Sequence, residues 1–172
     1  MFQLAVDRPA TAAHVPAWAT LLLQTPPVLA QLKPNRLSTT FASLLTAPQA
    51  PDFASKANAL LADLFKDTSG SINFLARQNI SAVTFPNKAA FIAGQGAQPP
   101  IPTVTTLDIF YTCNKIAWRW VGRGIGSGQY EVKGIDTFTV TSSGQISEVY
   151  AEFNSGAWLA DIGYPECPQP TS

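Results

Sequence analysis

The sequence predicts an α+β fold, and three observations carry that prediction. Apolar residues recur with helical spacing in parts of the first hundred positions. Four β-rich runs follow between residues 104 and 154. The links between those runs are short turns, whereas a parallel crossover needs a dozen or more residues, so the runs are expected to pair as an antiparallel meander. At 172 residues the chain suits one domain with a sizeable core, spanning 1–172, with 1–15 as an N-terminal arm that shows no period.

Ala17 to Gln24 reads as a helix with Pro16 in its first turn. Pro26-Pro27 breaks it, and Val28 to Leu32 reads as a further turn. Ser38 or Thr39 is a candidate cap for a short helix through Leu45, ended by Pro48 and Pro51. The clearest periodicity follows Asp52. Phe53, Ala57, Leu60, Leu61, Leu64 and Phe65 share one helical face, so a helix is expected across 53–65, ended by Thr68-Ser69-Gly70-Ser71. Residues 72–85 carry no clear period, although Ile80 to Phe85 is rich in β-formers. Asn87 to Ala93 reads as a short helix stopped by Gly94 and Gly96, and Gln98 to Pro102 as a proline-rich connector. The strands are Val104 to Thr112, Ile116 to Arg123, Tyr130 to Val140 and Ile146 to Asn154. Gly156 to Ile162 is expected to form a last helical turn, stopped by Gly163 and Pro165.

Composition narrows the function. Apolar residues make up 46% and charged residues 13%, about half the usual charged share, so apolar surface must be hidden in a ligand pocket or a subunit interface. Eleven basic side chains balance eleven acidic ones, and no basic stripe exists, which argues against nucleic acid or an anionic membrane as partner. Cys113, Cys167 and the single histidine, His14, make neither a disulfide framework nor a zinc site. Two free thiols suit a reducing, cytoplasmic setting. Leu21-Leu22-Leu23 is too short for a signal core, and no transmembrane span is present. Asn79-Ile80-Ser81 fits a glycosylation acceptor, a triplet that arises readily by chance.

The run Gly122-Arg123-Gly124-Ile125-Gly126-Ser127-Gly128 invites a phosphate-binding reading, yet it joins two strands and misses the G-x-G-x-x-G spacing. A flexible hairpin loop is the better assignment. No G-x-S-x-G elbow occurs. Phe110, Trp118, Trp120, Tyr130, Phe138, Tyr150 and Phe153 give the strands a heavy aromatic load that serves either a core or a pocket for a hydrophobic ligand. Alternation puts Ile146, Glu148, Tyr150, Glu152 and Asn154 on one face of the last strand, and Ser147, Val149, Ala151 and Phe153 on the other. The second set is the more apolar, so the simplest assignment turns the first to solvent. A cavity wall with polar groups among aromatics would reverse it. Asp136, Asp108 and Arg119 are the other ionisable residues such a pocket could recruit. A carboxylate among aromatic rings is hard to ionise, and its pKa rises toward the range where it serves as acid or base.

Four pieces then share an order and spacing: Lys115 to Gly124, Gly134-Ile135-Asp136-Thr137-Phe138, Gly144-Gln145-Ile146 and Ala160-Asp161-Ile162-Gly163. Together they resemble the SnoaL-like polyketide cyclases of the nuclear-transport-factor-2-like superfamily, and in size its fungal secondary-metabolite members. The resemblance covers roughly residues 79–163. It implies a cone-shaped fold, with a curved, mainly antiparallel sheet wrapped around helices and enclosing a pocket, and often a homodimer packed through the sheet. In SnoaL-like cyclases the acid/base is an aspartate nine residues before the closing glycine. Here that position is Asn154, whose amide cannot transfer a proton in that way.

The expected activity is therefore that of a cofactor-independent lyase, isomerase or cyclase acting on a small hydrophobic metabolite of polyketide or terpenoid type. Glu152 or Asp136 is the expected acid/base, with Tyr150 and Asn154 as donors to a developing oxyanion. Trp118, Trp120, Arg119, Phe138 and Glu148 are the expected substrate-binding residues, and no metal is called for. The rival expectation is a non-catalytic binding or dimerisation module of the same fold, in which those acids face solvent or ion-pair partners.

Overall fold

The computed structural model describes residues 34–164. The arm, the helices expected at 17–24 and 28–32, His14 and Cys167 lie outside the described residues. Helix α1 spans Pro34–Thr46 and α2 spans Phe53–Leu60, followed directly by strand β1, Leu61–Thr68. Helices α3 (Gly70–Leu75) and α4 (Lys88–Gly96) come next. Strands β2 (Thr103–Tyr111), β3 (Lys115–Arg123), β4 (Val132–Val140) and β5 (Ile146–Phe153) precede the last helix, α5 (Ser155–Asp161).

The four expected strands form a meander, and a fifth joins them. The curved, unclosed sheet has the order β1-β5-β4-β3-β2, with β1 parallel to β5 and every other pair antiparallel. Strand β1 corrects the helix expected across 53–65. Its apolar positions fit helical spacing, but the chain turns extended at Leu61 (φ −97°, ψ 136°) and pairs with the otherwise open edge of β5. Tertiary pairing overrides local preference here. Leu64, placed in the core by the helical reading, is 92% exposed, while Leu61, Phe65 and Asp67 turn inward.

The caps also differ in detail. Helix α1 starts at Pro34, so Ser38 sits inside it, its hydroxyl donating to the Pro34 carbonyl. Ser69 opens α3 by accepting from the Ile72 N–H at 3.0 Å, so the segment expected only to end a helix starts another. Asn87, expected as the first residue of the helix, is instead the N-cap of α4, accepting from Ala90 N–H, and α4 runs on through the expected stop at Gly94 to Gly96.

Phe41 of α1 lies over the inner face of the sheet, 5.0 Å from the Phe138 ring and 6.4 Å from Trp118, and Phe91 of α4 stacks on Phe41 and Phe65. Burying each such ring contributes roughly 2–3 kcal/mol, so this cluster fixes the helices on the sheet. The glycine-rich run is a loop between β3 and β4, as expected, and it holds α5 in place. Ser127 N–H donates to the Asp161 carbonyl at 2.7 Å, and Ser127 Oγ and Tyr130 N–H both donate to Asp161 Oδ1 at 3.0 Å. Gly126 must be glycine there, with φ of +51° and a hypothetical Cβ 2.1 Å from the Asp161 carbonyl oxygen.

Candidate functional site

Between the helices and the inner face of the sheet lies a cavity of about 370 Å³. Its walls are mainly apolar: Phe41 and Phe91 from the core side, Trp120 and Phe153 from the sheet, and Trp158 and Ile162 from the end of the chain. Four polar residues face it, Gln95, Gln98, Asp67 and Asp136. The two acids are each 2% exposed.

Asp136 sits in the middle of β4, opposite Trp118 on β3 and Ala151 on β5. Its Oδ1 accepts from Trp120 Nε1 at 3.0 Å, the one hydrogen bond its side chain makes among the described residues. Burial raises its pKa from 3.8 to about 7; the Trp120 bond works against that rise, and the charge of Glu152 adds to it. Gly134 makes this contact possible. A Cβ at that position would stand 2.5 Å from the Trp120 ring, so only glycine lets the indole lie across β4 and reach Asp136.

Asp67 stands on β1 opposite Val149, so the two acids flank β5 from either side on the inner face. Its backbone is pinned to Phe85, donating to the Phe85 carbonyl at 2.9 Å and accepting from Thr84 and Phe85 N–H. Among the described residues its side chain has no hydrogen-bond partner, and Oδ1 is fully buried. Burial holds its pKa well above the ordinary carboxylate value, and the neighbouring charges of Asp136 and Glu152 push the same way. A buried acid with no partner is costly, and such groups cluster where chemistry is done.

Of the residues singled out from sequence, Asp136 and Trp120 meet in this cavity. Glu152 does not enter it. Alternation turns it to the other face of β5, where its carboxylate accepts from Gly70 N–H, Ser71 N–H and Ser71 Oγ at 2.8, 2.9 and 2.5 Å and anchors the start of α3. Tyr150 shares that outer face, 48% exposed, and so does Glu148, ion-paired with Lys66 at 2.8 Å. Asn154 is the N-cap of α5, its Oδ1 accepting from Ala157 N–H, and it does not line the cavity. Arg119 points outward to an ion pair with Asp108. Trp118 and Phe138 are fully buried core residues, the Trp118 indole donating to Thr106 Oγ1 at 2.9 Å. The simpler assignment for β5, with Val149, Ala151 and Phe153 inside, is the one the fold adopts; Ile146 joins them because the register shifts beside Val140.

The sequence does not single out Asp67, because the apolar spacing before it suits the end of a helix. Leu61, Phe65 and Asp67, at even spacing, were the signal for a strand with one face inward. Among the described residues no three of His, Cys, Asp or Glu come together as a metal-ligand set, and no helix is long and apolar enough to cross a membrane.

Solved structures share this fold. The chain is similar to IdmH of Streptomyces antibioticus, named as a candidate polyketide cyclase, at 22% identity and a TM-score of 0.55, over 74% of this chain and 98% of that one. It is similar to a candidate SnoaL-like polyketide cyclase of Jannaschia sp. CCS1 at 15% identity and TM-score 0.55, over 77% and 94%. A hypothetical protein of Catenulispora acidiphila with a ketosteroid isomerase-like fold, solved in complex with trimethylamine, matches at 15% and 0.55, over 75% and 93%. No curated protein matches the chain in sequence. The model of the NTF2-like domain family matches residues 27–165, most of the chain, so with its five-stranded sheet and helix-covered cavity the chain belongs to the NTF2-like family.

Proposed function

We propose that this protein is a cofactor-independent lyase, isomerase or cyclase that moves a proton on a small hydrophobic metabolite held in the cavity. One observation carries the reading: two carboxyl groups, each almost wholly buried, face the same apolar cavity. Asp136, with its pKa at about 7, is divided between acid and base at neutral pH and so fits the role of proton acceptor and donor. Asp67, held well above the ordinary carboxylate range by burial, favours its protonated form. It would donate that proton in a hydrogen bond to the oxygen of a carbonyl as negative charge develops on it. The dry aromatic walls strengthen both interactions, because little water competes for the charge. The same reading includes a symmetric dimer through the outer sheet face, where Ile135 and Tyr150 are exposed; sedimentation showing only monomer at micromolar concentration would count against it.

The test is deuterium incorporation next to a carbonyl, followed by NMR in D₂O, across a panel of small cyclic ketones and enones with and without a tertiary amine. The protein should accelerate exchange for some members, and Asp136→Asn should lower that acceleration by about two to four orders of magnitude. Asp67→Asn should cost less, about ten- to a thousandfold, since one oxyanion donor supplies part of the stabilisation. Panel members that bind without exchange, with affinities indifferent to both carboxyls, would instead favour a binding module.

A further inference from the structure

The charge balance of the cavity narrows the ligand further. Asp67 and Asp136 face it, and among the described residues no lysine, arginine or histidine lines it. The described cations near the sheet are spent elsewhere: Lys66 on Glu148, Lys88 on Asp63, Arg119 on Asp108 and Arg123 on Glu131. A carboxylate or phosphate on the ligand would therefore enter a cavity to which the described residues bring two acids and no counter-charge, at a large desolvation cost. A cation has the opposite fate. It would find the carboxyl of Asp67 on the cavity wall, the second oxygen of Asp136, and a run of rings. Trp120 lies 6.1 Å from Phe153, and Phe153 lies 5.2 Å from Trp158. Aromatic faces attract weakly hydrated cations, most of all where water is excluded.

We infer that the cavity takes a hydrophobic amine in its cationic form, a tertiary or quaternary ammonium on a small apolar body, seated between Asp67 and Asp136 against the Trp120–Phe153–Trp158 rings. The inference rests on the cavity being the substrate site and adds the charge of the substrate. The titratable groups around Asp136 are Asp67 from β1 and Glu152 across β5; the helices present only Gln95, Gln98 and apolar side chains. A bound cation would draw protons off both inner acids, so its affinity should rise with pH.

Phenyltrimethylammonium, charged at every pH, and tert-butylbenzene, its uncharged isostere, make the comparison, with binding followed through the indole N–H signals in NMR at pH 5.5 and pH 8. The cation should bind at least about tenfold more tightly than the isostere at pH 8, with most of that advantage gone at pH 5.5. Asp136→Asn and Asp67→Asn should each erase much of the advantage and leave the isostere's affinity unchanged. Equal or tighter binding of the isostere at pH 8, or no binding of the cation, overturns the inference. Proton exchange on amine-free ketones that still depends on Asp136 would then leave the proposed acid/base role standing, whereas loss of that dependence would remove the role itself.

Discussion

Replacing Asp136 by Asn tests the buried acid without a substrate in hand. The unfolded chain ionises this side chain near 3.8, whereas the native one ionises near 7. Below 3.8 both states hold the proton, and the native state keeps whatever stability the protonated side chain contributes. As pH rises from 3.8 the unfolded state releases its proton first, so that stability is lost progressively until the native group ionises near 7. At 1.36 kcal/mol per pH unit the loss comes to about 4 kcal/mol by pH 8. Full burial means that solvent screening takes little from this figure. Asn keeps the shape and can still accept from Trp120, but it does not titrate. Its stability relative to the parent should thus rise by about 4 kcal/mol from pH 4 to pH 8, a large part of the 5–15 kcal/mol typical of a domain. Urea denaturation of both proteins at several pH values measures this difference, since titrating groups distant from position 136 cancel between them and Asp67, which feels the charge of Asp136, adds only a secondary change. A difference that stays constant within about 0.5 kcal/mol would show that Asp136 ionises normally, and the acid/base role would go with it.

Two further substitutions separate the cavity from its supports. Trp120→Phe removes the one donor to Asp136, so the alkaline-rising limb of the pH–rate profile should move up by about one pH unit; an unmoved limb would mean that the indole does not hold the carboxylate. Glu152→Gln weakens the anchor of α3 and should cost about 1 kcal/mol in urea denaturation, a modest figure because the side chain is exposed. It also removes a negative charge that raises the pKa of both inner acids, so the rate profile should slide slightly toward lower pH while turnover changes at most a few-fold; a loss of a hundredfold would return Glu152 to the acid/base role.

The meander was legible because strand alternation and turn chemistry both act over a few residues. Val149, Ala151 and Phe153 point inward as their apolar character requires, and Asn87 caps the helix it precedes. Asp136 could be picked out because it shares a strand with Phe138 and faces Trp118 and Ala151. The rest depends on contacts distant in sequence. Nothing local to Leu61–Thr68 announces that the edge of β5 lies open beside it, so a segment that suits a helix becomes a strand and carries Asp67 inward. Nor does the Glu-Tyr-Glu-Asn pattern of β5 reveal what its outward Glu152 holds. That is settled when Ser71 and the first N–H groups of α3 arrive to bind Glu152, more than eighty residues away in the chain.

The two inner acids work against the fold that holds them. Each is nearly free of solvent, and among the described residues neither has a cationic partner and the side chain of Asp67 has no hydrogen bond. An apolar or amide side chain of similar size at either position would leave the core at least as stable at neutral pH. The surroundings nevertheless favour keeping them where they are. Gly134 leaves room for the indole that steadies Asp136, and the bridge to Phe85 fixes the backbone of Asp67. Departures from the most stable choice, backed by specific supporting contacts, are expected at sites that act on a ligand. The variant that separates the two roles is the amide at 136. If it gains stability above pH 7 and loses proton transfer, the cost of the buried acid and its use have the same origin. If it gains stability and loses nothing, the buried charge serves no chemistry in this cavity.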